Sequence, residues 1–348
     1  MANPRLVRRT LVLAKLESSY GTFETPSAST DALQATDFGI RFISGRAARD
    51  VLKDTLGDLP DVVTDLYAEV TFSVELKGGG IDADNNVVEP RIGRLFQACG
   101  MRKLTSTADV DGDSTDETAN IYYMPTSDTI GGTNFKSLSL EIYHGATASG
   151  SVVRYQIAGA LGTFALRAEV GRFPTIEFTF TGLVTDVSDA TMPTASFEST
   201  EPNPWQACDF SLDSQTFMKP TTFELNIGNT VALRRAFTES DGIVGPVITD
   251  RAVTGSVNPE AFTETDYALY SKFRNGATAV VDVGPIGSDT DDKGNVIRIY
   301  APKVQVTDYA FGDRDGILTY ELPLKFCEDS GDDEFRIEFM YDSTYKIS

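Results

Sequence analysis

The feature that most restricts this 348-residue chain is that one order of elements is written in it twice. In the first half a leading strand (36–43) precedes a polar loop (44–62), a strand (68–76), a helix (90–100) and a closing strand pair (163–184). In the second half come a leading strand (221–228), a loop (229–246), a strand (250–259), a helix (265–275) and a closing pair (298–326). Thr71, Ser73 and Val74 recur as Thr254, Ser256 and Val257 at one constant spacing. Each copy is long enough to bury a core, so two tandem domains are expected.

Inside the copies the hydrophobic period is two, which means strands with one buried face. Val70, Phe72, Val74 and Leu76 alternate with Glu69, Thr71, Ser73 and Glu75, and Ile176, Phe178 and Phe180 alternate with Glu177, Thr179 and Thr181. In the second copy Val304 and Val306 alternate with Lys303, Gln305 and Thr307, and Leu318, Tyr320, Leu322 and Leu324 with Thr319 and Glu321. Antiparallel strands of this kind have one apolar and one wet side. A helical stripe occurs at only two places. Ile92, Leu95, Phe96 and Cys99 lie between Pro90 and Gly100; Leu269, Tyr270 and Phe273 lie between a capping Thr265 and Gly276. The fold class is therefore mainly β: two tandem sandwich or barrel domains, each with one flanking α-helix. The expected boundaries are an N-terminal arm (1–35), a first domain (36–188) with an extra segment (105–157), a proline-bearing linker (189–220) and a second domain (221–348).

Composition narrows the function. The formal net charge is −21, which argues against a nucleic-acid reader, because such proteins need a basic face to displace phosphate counterions. Cys99, Cys208 and Cys327 are scattered and odd in number, so neither a disulfide framework nor a zinc cluster is indicated. His144 is the sole histidine, and any Ser-His-Asp or Cys-His arrangement would have to use it. No nucleophile motif accompanies it, and it reads as a turn or surface residue. Glu169, Glu177 and Glu321 could supply paired carboxylates, but any wet strand surface carries such residues. The acidic runs 82–86, 109–117 and 289–295 invite a calcium reading. An EF-hand loop, however, needs glycine at its sixth position and a carboxylate at its twelfth. Lys293 falls at the fifth position of one run and Gly112 at the fourth of another, so turn chemistry explains them better. No catalytic residue, metal or cofactor is expected. Lys15 interrupts the short apolar run after Arg5, Arg8 and Arg9, which removes a signal peptide, and no stretch approaches a spanning helix. Synthesis in a host cytoplasm is the expectation.

Five segments, in order, resemble the tail tube (major tail) proteins of long-tailed, non-contractile bacteriophages. They are LAKLESSYGTFETPSASTDALQATDFGI, GRLFQACG, VGRFPTIEFTFTGL, ITDRAVTGSVNPEAFTETDYALY and APKVQVTDYAFGDRDGILTYELPL. The acidic segment near 109–118 and the linker around Trp205 depart from that pattern. The resemblance implies a structural virion protein that stacks as rings into a hollow tail tube for DNA passage. It implies as partners further copies of the chain, tail terminator and tail-tip proteins, and a tape measure protein followed by DNA in the lumen, with no membrane. The alternative is a tail-tip or surface adhesin that binds carbohydrate or a cell receptor; exposed aromatic clusters would favour it.

With the duplication, the resemblance points to trimeric rings of pseudo-sixfold symmetry. The residues expected to face the lumen are Glu69, Thr71, Ser73, Glu75, Glu177, Thr179 and Thr181, then Thr254, Ser256, Gln305, Thr307, Thr319 and Glu321. Such a wall of hydroxyls and carboxylates gives DNA no counterion-release gain. Ring-to-ring contact is expected from Arg5, Arg8 and Arg9 of the arm and from Arg46, Arg49, Leu52 and Leu56 of the first loop.

Overall fold

The computed structural model describes residues 4–148, 150–239 and 241–347. Its first half is built on four antiparallel strand positions. Ala35–Ala47 pairs with Val62–Glu75, which pairs with Thr175–Thr191, which pairs with Ser151–Glu169. The second half repeats the order. Thr222–Asn226 pairs with Thr254–Val257, and this with Ile317–Phe326. The fourth position is Val296–Val306, prolonged by Ala310–Arg314. The two units join edge to edge, because the end of Ser151–Glu169 pairs with Thr222–Asn226. A second joint pairs Glu117–Pro125 of the first half with Arg336–Met340 of the second. The fold is thus mainly β, as the alternation requires.

The period-two pattern sets which side is buried. Val70, Phe72, Ile176, Phe178, Phe180, Leu322 and Leu324 all lie in the core. Phe178 stacks on Phe180 at 5.7 Å between ring centroids and also meets Phe72, Phe164 and the helical Phe96. The helices are Gly93–Ala98 and Leu269–Asn275. Each stops at a glycine in the left-handed region, Gly100 at φ 76° and Gly276 at φ 63°, where a side chain would be strained. The second helix begins after Thr265, and its first residue follows Ala268, which makes no side-chain cap. One continuous apolar cluster runs from Val70 and Phe164 through Phe223 to Ile337, so the two repeats share a core.

Several expectations are corrected. Within the expected arm (1–35), Leu11–Leu16 is a strand held between Leu138–His144 and Ala32–Leu33, with Leu11 to Ala14 buried; residues 1–3 lie outside the described residues. The segment 44–62 is loop over 48–61, with strand only at its two ends, whereas 229–246 is largely hairpin. The first has strands up to Ala47 and from Val62, and the second pairs Asn229–Arg235 with Ile243–Arg251. The paired residues 44–47 and 229–235 have no buried face, so no apolar alternation marks them in the sequence. The linker contains the strand Phe210–Leu212 and a buried Trp205 stacked on Phe223 at 6.2 Å. In the extra segment, Met101–Ala108 and Glu117–Pro125 form a hairpin whose tip is the acidic run 109–116.

Candidate functional site: a polar sheet face and two open edges

Residues directly opposite one another in antiparallel strands share a face of the sheet. The observed register therefore carries one polar row across both halves. It runs Thr36, Ser73, Glu177, Ala165, Asn226, Thr254, Lys325, Gln305. A second row runs Glu75, Thr175, Arg167, Glu224, Ser256, Pro323. Glu69 lies opposite Thr181, and Thr71 opposite Thr179, on the same face. The expected lumen residues of the first half, and Thr254, Ser256, Gln305 and Glu321 of the second, thus lie on one continuous surface. Thr307 is exposed where its backbone N–H donates to Pro323 O at 3.0 Å. Thr319 is the exception: it is buried at the extended tip, beside Gly312 and bridged to Glu260.

Register also adds residues to that face. Arg41 lies opposite Glu69, while Thr36, Glu224, Asn226 and Lys325 belong to the rows above. The alternation of Glu224 and Asn226 with Phe223 and Leu225 in the leading strand of the second half could have placed these two on the polar face. On this face the carboxylates Glu69, Glu75, Glu177, Glu224 and Glu321 outnumber the cations Arg41, Arg167 and Lys325. Lys303 is drawn aside by Asp329 at 3.6 Å.

The expected stacking residues divide. Arg5 and Arg9 donate to the carbonyls of His144 and Thr147 in their own chain, and Arg8 is exposed. Arg46 is an exposed strand residue opposite Val63, and Arg49, Leu52 and Leu56 stand in solvent between the two strands of the first hairpin. His144 ends its strand with Nδ1 3.1 Å from Thr10 Oγ1; burial, then Arg5, hold its pKa below the ordinary value. Asp109, Asp111 and Glu117 approach one another, but Asp109 accepts the N–H of Gly112 at 2.7 Å and of Ser114 at 3.1 Å, as turn aspartates do.

The sheet that carries the polar face ends in two open edges. Among the described residues no strand pairs with the outer edge of Ala35–Ala47 or of Ala310–Arg314. The junction between the halves is closed, and a hairpin lies across it. Asn229 Nδ2 donates to Cys99 O at 2.6 Å and to Gly162 O at 2.9 Å, and Arg251 donates to Thr126 O at 3.1 Å. The Tyr20 hydroxyl donates to Pro246 O, and burial pushes its pKa up to about 12. Arg235 pairs with the buried Asp65. Burial would raise the Asp65 pKa, but the Arg235 hydrogen bond, the Gly45 N–H and the Arg235 charge outweigh it, and the net shift is downward.

The antiparallel sheet thus presents one continuous wet face that crosses from the first half of the chain into the second. The signature of the phage tail tube protein family matches residues 8–325, and the chain belongs to that family. It is therefore a structural component of a phage tail. No curated protein matches the chain. No helix among the described residues is long and apolar enough to cross a membrane.

Proposed function

We propose that copies of this chain form rings of three, stacked into a hollow tube whose polar sheet face lines the passage for DNA. The observation that carries this reading is the eight-position row, polar except at Ala165, whose strand pairing runs unbroken through both halves with four positions from each. Three such chains supply about 24 strands; at ~4.8 Å spacing and a tilt of roughly 40° they enclose a backbone diameter of about 50 Å. A duplex passes through that opening after side chains narrow it. Closing the sheet removes both open edges, which otherwise invite uncontrolled pairing. The excess of carboxylates on the wall denies DNA the counterion release that would hold it. The same reading has the tube capped by terminator and tail-tip proteins and filled first by a tape measure protein. It assigns no catalysis and no cofactor to the chain.

The adhesin reading draws on one observation, an exposed aromatic cluster around Phe311, which is 65% exposed. That cluster sits on an open strand edge, where a subunit contact accounts for it. Electron microscopy of the purified protein decides: hollow filaments support the tube, and globular particles that bind glycans support the adhesin. A filament with Glu69→Lys, Glu75→Lys and Glu177→Lys should retain added DNA that the parent filament releases. Equal release would remove the argument from wall charge.

A further inference from the structure

The second joint between the halves carries a cavity on the side of the sheet turned away from the core. Arg102 lies opposite Met124 in the hairpin of the extra segment, and Arg336 lies opposite Tyr300 in the second half. Between these pairs Tyr123 lies opposite Ile337, and both of those side chains are buried in the core. Strand side chains alternate in direction, so Arg102, Met124, Arg336 and Tyr300 form one row on the other face, across the joint. Pro302 and the turn residues Ser330, Gly331 and Asp333 complete a cavity of about 410 Å³, within the size range of small-molecule sites.

The charged groups around this cavity are satisfied by the protein, with one exception. Arg336 donates through Nε to Glu338 and through Nη2 to Ile347 O, and its guanidinium lies 4.2 Å from the centroid of the Tyr300 ring. Asp333 accepts the Asp329 N–H at 2.8 Å, the Ser330 N–H at 3.0 Å and the Ser330 hydroxyl at 2.6 Å, so both its oxygens are engaged in its own turn. Arg102 is the exception. Its Nε is buried without a hydrogen-bond partner, and among the described residues no carboxylate pairs with it. Arg154 also has an unbonded Nε, but its terminal nitrogens reach Glu141 at 3.6 Å and Asp186 at 2.8 Å. The chain has fifty-one acidic side chains, and none is turned to Arg102. A buried guanidinium donor without an acceptor carries a desolvation cost that an added oxyanion would offset.

The surroundings select among oxyanions. The Nε–Nη edge of a guanidinium matches the two oxygens of a carboxylate, and such bidentate pairs are both strong and directional. Met124, Pro302 and the Tyr300 ring offer carbon surface beside it. Burial opposes ionisation of Asp333, but the hydrogen bonds from Ser330 and from the Asp329 N–H outweigh it and its pKa is lowered, so a fixed negative charge at the rim disfavours a dianion. We propose that this cavity binds a small monocarboxylate, its carboxylate on the Nε–Nη edge of Arg102 and its apolar body against Met124, Tyr300 and Pro302. The ligand would touch both halves of the chain at once. None of these residues belongs to the polar rows, so the site stands independently of the tube reading.

Calorimetric titration of the full chain with sodium benzoate, neutral benzamide and inorganic phosphate tests it. Benzoate should bind saturably, phosphate at least about ten-fold more weakly, and benzamide not at all. Arg102→Met should abolish benzoate binding while the melting temperature stays close to that of the parent. Arg102→Lys keeps the charge without the fork and should weaken benzoate by about ten-fold, which preserves the test if the methionine variant does not fold. A parent that does not bind benzoate, phosphate or benzamide binding as tightly as benzoate, or benzoate affinity unchanged in the variants would overturn the proposal.

Discussion

The two halves of the chain repeat one sheet, and their junctions are opposite in character. Between the halves, strand pairing, an ion pair to a buried aspartate and a crossing hairpin anchored on backbone carbonyls leave little unsatisfied. At the outer ends, among the described residues, the same strand positions have no strand partner, and Phe42, Val62, Val63, Phe311, Ile317 and Leu318 are exposed near them. The comparison teaches that the covalent link between the halves lets their junction rely on buried polar anchors. On the ring reading proposed above, contacts between copies would rely instead on apolar surface, which stabilises without exact pairing.

The largest expected effect comes from the hairpin that has no counterpart of its length in the second half. Removing residues 49–58 and joining the strands by a short turn should leave a folded chain that no longer builds tubes, read by electron microscopy and circular dichroism. Persistent tubes would show that the exposed Leu52 and Leu56 do not carry stacking. The next effect tests whether the halves share one core. Phe178 is fully buried among Phe72, Phe96, Phe164 and Phe180, so Phe178→Ala should cost about 3–5 kcal/mol. Calorimetry should show one transition for both halves; two separate transitions would divide the core. Asn229→Ala leaves the Cys99 and Gly162 carbonyls without that donor and should destabilise by about 1–3 kcal/mol, chiefly by loosening the internal junction.

A smaller effect is set by pH. The Asp65 pKa is lowered overall, and that of Asp332 is lowered too: burial opposes ionisation, but Ser127 and Arg251 outweigh it. Groups with a depressed folded pKa contribute stability above the ordinary carboxylate value of about 4, and lose it as pH falls through the folded value. The parent should therefore lose more melting temperature than Arg235→Ala between about pH 6 and pH 3. Parallel curves would mean that the Arg235 pair contributes nothing to the junction.

What the sequence made legible follows from burial. Phe72, Phe178 and Leu322 could be placed because a half-buried strand must alternate, and Gly100 and Gly276 because a helix ends at a left-handed residue. The crossing hairpins could not be seen, since 44–47 and 229–235 pair without a buried face and read as polar loop. Leu11–Leu16 was too short to distinguish from an arm, although its residues are among the most buried in the chain. Thr319 fits the wet alternation, but a long-range bridge to Glu260 covers it. The polar face itself was largely readable; its continuity from one half into the next depends on the pairing of Arg167 with Glu224, which no local pattern encodes.

The most direct test of this account is a three-dimensional reconstruction of the assembled tube. The prediction is a ring of three chains with Glu69, Ser73, Glu177, Glu224 and Thr254 on an inner wall that carries no net positive charge. Six chains per ring, or an inner wall that is net basic, would contradict it.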